Sequence, residues 1–78
     1  MANKMFPNKA VAVKPQDIGS LQNIGLLFIG TGGDVEVTLA QDSTKVIFKN
    51  VANGTFLPVQ VKKVWRTNTT ATNILLLY

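Results

Sequence analysis

The chain sets short apolar runs between clusters of Gly, Asn, Asp and Thr, and no stretch keeps helical apolar spacing for three turns. From Gly25 the pattern is regular. Leu26-Leu27-Phe28-Ile29 is an unbroken apolar run, as expected of a strand covered on both faces. Gly30-Thr31-Gly32-Gly33 then supplies the positive-φ positions of a tight hairpin reversal. Val35, Val37 and Leu39 alternate with Asp34, Glu36 and Thr38, the pattern of a half-buried strand. Gln41-Asp42-Ser43 turns the chain, after which Val46 and Phe48 face one way and Lys45, Ile47 and Lys49 the other. Asn53-Gly54 is a strong turn dipeptide. Leu57, Val59 and Val61 alternate beyond it, and the apolar phase then slips to Val64. That slip predicts a β-bulge at Lys62-Lys63 and a strand that bends there. A turn at Asn68-Thr69-Thr70-Ala71 leads into an apolar last strand, Thr72 to Tyr78.

Before Gly25 the signal is weaker. Residues 1–8 are polar, carry Pro7 and read as a mobile arm. Lys9–Lys14 alternates weakly until Pro15, whose missing N–H keeps it out of a central ladder. Gln16–Asn23 is a connector, with one helical turn allowed between Pro15 and Ser20. The pattern therefore predicts a single all-β domain over 1–78, with arm and connector over 1–23 and the core over 24–78. Five clear strands and a weaker N-terminal one make an antiparallel β-sandwich or small barrel.

Composition adds what such a fold lacks. A chain of 78 residues buries only about 60% of its unfolded surface and is marginal alone. It has no Cys and no His, so disulfides and the usual zinc, haem and iron–sulfur ligand sets are excluded. Oligomerisation or docking is the remaining remedy. The same lack removes triads and dyads built on His or Cys. No enzyme, cofactor or metal site is expected. Apolar residues are 46% of the chain and charged ones 15%, too hydrophobic a balance for disorder. No apolar run reaches the length of a membrane span, and MANKMFPNK has no apolar signal core, so neither membrane nor secretion is predicted.

Four features invite chemistry. The Gly30–Gly33 run lacks the Lys-Ser/Thr and following helix of a phosphate loop and reads as a turn. Asp34 and Glu36 share a strand face about 7 Å apart, and read as a solvated pair or an intersubunit ion pair. Lys45, Lys49, Lys62, Lys63 and Arg66 form a basic edge around Trp65, within a net charge of +4. Cations interleaved with an aromatic suit single-stranded nucleic acid. A small nucleic-acid-binding barrel is therefore the alternative reading. Against it, no strand carries alternating aromatics as a stacking platform, and Phe28, Phe48 and Trp65 sit in apolar contexts that suit a core. The bland reading is a solvated basic edge that blunts aggregation. Last, Ile74–Tyr78 has no polar interruption and must be covered by a second layer or a neighbour.

Three segments carry a resemblance: GLLFIGTGGDVEV (25–37), VIFKNVANGTFLPVQVKKVW (46–65) and TTATNILLLY (69–78). Together they resemble a small virion protein family of tailed bacteriophages that includes the head-spike base proteins of gene transfer agents. Gly54-Thr55-Phe56-Leu57-Pro58-Val59, the basic pair, the Thr69-Thr70-Ala71 turn and terminal Tyr78 are the characteristic pieces. The resemblance implies a β-sandwich forming a ring or cluster, trimer or pentamer, on the capsid exterior. There it would decorate the head or seat a spike or fibre, made in the host cytoplasm and assembled into the virion. The implied partners are copies of itself, the major capsid protein, and a spike or fibre protein. A receptor-binding or fibre-tip module shares the same pattern. For self-assembly the expected residues are Leu57, Pro58, Val59, Trp65, Ile74, Leu75, Leu76, Leu77 and Tyr78. The arm lysines (Lys4, Lys9, Lys14) and the basic edge would meet an acidic capsid surface.

Overall fold

A computed structural model describes residues 7–78; Lys4 and most of the expected arm lie outside the described residues. The chain is all-β, with strands β1 (Ala10–Ala12), β2 (Gly25–Thr31), β3 (Gly33–Leu39), β4 (Val46–Val51), β5 (Thr55–Trp65) and β6 (Thr72–Leu77). They form one antiparallel sheet in the order β1-β6-β2-β5-β3-β4.

One sheet has to cover its own core, and β5 is the strand that allows it. Its first half pairs with β2, in the register Leu27↔Leu57 and Ile29↔Thr55. Its second half pairs with β3, with Val37 opposite Val64 and Glu36 opposite Trp65. The register on β3 steps from Val61 to Lys63 between Leu39 and Thr38, leaving Lys62 as the extra residue of the expected bulge. A second shift, between Gly25↔Val61 and Leu27↔Leu57, leaves extra residues around Pro58, which has no N–H to give a ladder. The strand bends at these irregularities and the sheet folds over along it. Leu27 and Ile29 of β2, Val35 and Val37 of β3, Val61 and Val64 of β5, and Ile74 and Leu76 of β6 then meet in a single buried cluster with Ala71.

Two expectations fail. Gly30–Gly33 is not a hairpin: β2 and β3 are unpaired and lie on opposite sides of β5. The glycines serve close backbone approach instead, where the chain crosses between the two halves of the sheet. A Cβ on Gly32 would land on the Val51 carbonyl oxygen. The helical turn allowed after Pro15 is also absent, and the connector is a series of bends with Gly19 at φ +87°. Its backbone is satisfied by β5: the Gln16 N–H donates to the Val64 carbonyl at 3.0 Å and the Leu21 N–H to the Lys62 carbonyl at 2.9 Å.

Candidate assembly surfaces

Because the sheet folds over one core, its outer surface falls into two halves of different chemistry. The wide half consists of β1, β6, β2 and the first half of β5. Alternation puts Leu27, Ile29, Ile74 and Leu76 inside, so Leu26, Phe28, Leu75 and Leu77 point outward. The register sets them in rows. Ala12, Leu75, Phe28 and Phe56 stand side by side, and Ala10, Leu77 and Leu26 form the next row with Pro58 nearby. Phe56 is 44% exposed, and Leu26, Phe28, Leu75 and Leu77 are half-buried only by one another and their neighbours. Beside them an open hollow of about 500 Å³ lies over Gly30, walled by Ala12, Phe28, Asn73 and Leu75.

The narrow half consists of the second half of β5, β3 and β4, and is basic. The Trp65 ring carries the Lys63 ammonium 3.5 Å and the Lys45 ammonium 4.1 Å from its centroid. Its indole N–H donates to Thr38 Oγ1 at 2.9 Å, and Lys63 Nζ also donates to the Asp17 carbonyl at 2.9 Å. Cation–π contacts of this kind contribute about 0.5–2 kcal/mol. They occupy the ring that a stacked base would need, so the nucleic-acid alternative loses its aromatic platform. Lys49 is exposed on β4, Arg66 is exposed just past β5, and Lys62 is half-buried at the bulge.

The expected acidic pair is not solvated. Glu36 is 4% exposed because the turn after β5 folds across it: Thr69 Oγ1 accepts the Glu36 N–H at 3.0 Å and Asn68 Nδ2 donates to Glu36 Oε1 at 3.2 Å. Asp34 Oδ1 accepts the N–H of Asn50, a left-handed residue at φ +57° that makes a bulge in β4. Glu36 therefore holds the turn after β5, and Asp34 holds the bulge in β4. Nor does Phe28 join the core, since its phase in β2 is the outward one.

The expected self-assembly residues separate by phase. Ile74 and Leu76 lie in the chain's own core. Leu57, Val59 and Tyr78 are half-buried and pack against it. Pro58, Leu75 and Leu77 belong to the outer face of the wide half, and Trp65 lies among its lysines on the narrow half. Ala10, Ala12, Leu26, Phe28 and Phe56, which the sequence did not single out, share the outer face of the wide half. For Leu26 and Phe28 a signal was present: Leu26–Ile29 is apolar in both phases, and one core uses only one phase.

Asp17 is a further residue that spacing could not reveal. Its carboxylate accepts from the Thr67 hydroxyl at 2.6 Å and from the Arg66 and Thr67 N–H groups at 3.0 Å, tying the connector to the end of β5. The Thr67 hydroxyl, then the Thr67 and Arg66 N–H groups, outweigh partial burial and hold the Asp17 carboxyl below its ordinary 3.8. A depressed pKa contributes stability that is complete above the unfolded value and is lost as pH falls from there through the folded one. Asp17→Asn should therefore flatten the acid limb of stability relative to wild type. Urea midpoints compared from about pH 5 down to about pH 2 check this; parallel curves would deny Asp17 the role.

A groove of about 400 Å³ lies between β1, the connector and β5, floored by Leu76 and Tyr78. Lys14 and Lys63 are its charged side chains, both cationic, so it holds no acid–base pair.

These features define a small all-β chain whose distinctive outer surfaces are an uncharged sheet face and a basic one. No protein-family model matches the chain, and no curated protein matches it. Among solved structures it is similar to a chain described as the capsid of a native gene transfer agent particle, computed with C5 symmetry. The TM-score is 0.82 at 26% identity, over 92% of this chain and 83% of that one.

Proposed function

We propose that the protein is a structural component of a phage-like capsid, acting by contact rather than by chemistry. One observation carries the reading: the fold of a gene transfer agent capsid chain is reproduced over 92% of this chain at a TM-score of 0.82. The finer proposal is a cyclic homo-oligomer on the capsid exterior, serving as head decoration or as the base for a spike or fibre. Trimer and pentamer are the two ring orders considered. The basic narrow half, with Lys45, Lys49, Lys63 and Arg66, suits an acidic capsid surface, and salt should weaken that contact. Light scattering at micromolar concentration tests the homo-oligomer. A mass several times the 8.5 kDa of one chain is expected, and a stable folded monomer would overturn it.

A further inference from the structure

We infer that the outer face of the wide half is the surface through which copies of this chain pack on one another. The inference rests on the homo-oligomeric reading above and names its contact face. Four adjacent strands at about 4.8 Å spacing give a patch roughly 15–20 Å across and on the order of 300 Å². Ala10, Ala12, Leu26, Phe28, Phe56, Pro58, Leu75 and Leu77 supply it without a charge or a side-chain hydrogen-bonding group. A patch of that size supplies the apolar centre of a contact rather than its whole area, which is about 800 Å² per partner in a stable interface. Exposed Thr31, Gln60, Thr72 and Asn73 border it, giving an apolar centre with a polar rim, as interfaces between subunits have. No strand or loop among the described residues forms a second layer over it.

Charge selects the occupant. Each copy carries a net charge of +4, and contact through the narrow half would bring Lys45, Lys49 and Lys63 against another net-positive chain. The wide half brings no cation to the contact. It also carries both halves of a fit, since Phe28 and Phe56 stand beside the open hollow over Gly30 that an apolar side chain of another copy can enter. Pairing through the sheet edges is disfavoured. β4 is blunted by Lys49 and the Asn50 bulge, and β1 has only three residues.

The test compares Phe56→Asp with Ile47→Asp, which puts the same charge on an outward residue of the narrow half that is 38% exposed. Light scattering should find Phe56→Asp reduced to the mass of one chain with an unchanged circular dichroism spectrum, and Ile47→Asp still assembled. An assembled, folded Phe56→Asp would overturn this face while leaving the homo-oligomer standing. A monomeric wild type would overturn both. Should Phe56→Asp fail to fold, thiol reactivity decides, because the chain has no cysteine of its own. Ala12→Cys should then react more slowly in the assembly than after dilution to monomers, whereas Ile18→Cys, off the face and at a position 85% exposed, should not change. Equal slowing at both sites, or none at Ala12→Cys, would overturn the inference.

Discussion

Leu76→Ala is expected to cost about 2–5 kcal/mol of folding stability, and Leu77→Ala, one residue on, about 1 kcal/mol or less. The two substitutions remove the same atoms. Leu76 is 1% exposed and packed in the cluster of β2, β3, β5 and β6 residues, so the truncation leaves a cavity that the surrounding strands cannot close. Leu77 points to the outer face, where solvent fills the vacated space. For a chain of this length total stability is on the order of 4–12 kcal/mol, so Leu76→Ala removes much of it. Urea unfolding of the two variants at a concentration too low for assembly reads the difference. Equal losses would mean that the phase of β6 is other than described.

Gly33→Ala is expected to cost about 2–4 kcal/mol. Gly33 sits at φ +153°, and a Cβ there would stand 2.6 Å from Thr70 Oγ1 and 2.9 Å from the Ala71 nitrogen. Those atoms are not free to retreat. Thr70 Oγ1 accepts the Asp34 N–H at 2.9 Å, and the Thr70 and Ala71 N–H groups donate to the Asp34 carbonyl at 2.8 and 3.2 Å. The substitution therefore pushes apart the start of β3 and the loop that delivers β6. Gly19→Ala is the matched control, because Gly19 also has positive φ but nothing stands within 4 Å of its Cβ position. It should cost only the backbone strain, about 1 kcal/mol. Denaturant midpoints check both, and a Gly33→Ala no worse than Gly19→Ala would show that the crossing can relax.

What the sequence made legible was local. Alternation with period two located the strands, and the slip from Val61 to Val64 located the bulge at Lys62, because each depends on residues a few positions apart. Strand order was hidden, since β6 enters between β1 and β2 through pairings remote in sequence. Gly30–Gly33 misled for a physical reason. Glycine is needed both where a chain reverses and where two backbones pass closely, and spacing does not distinguish the two. The apolar outer face was half legible. Ile74–Tyr78 was marked as needing cover, but five apolar residues in succession do not say which of them face inward, so Ile74 and Leu76 could not be told from Leu75 and Leu77. Phe56, next to a turn and opposite Phe28 only in the folded register, had no local mark at all.

The position of β6 also sets a timetable. β6, the sixth of the described strands in sequence, is hydrogen-bonded on both sides, to β1 at Ala10–Ala12 and to β2 at Leu26–Thr31. Until β6 pairs, β1 has no partner in the sheet and one edge of Leu26-Leu27-Phe28-Ile29 stays open. The core is equally incomplete, because Ile74 and Leu76 are absent from it. Folding therefore waits on a long-range step, the entry of β6 between β1 and β2. A chain that has not yet taken that step carries an unpaired apolar strand edge that other copies can meet.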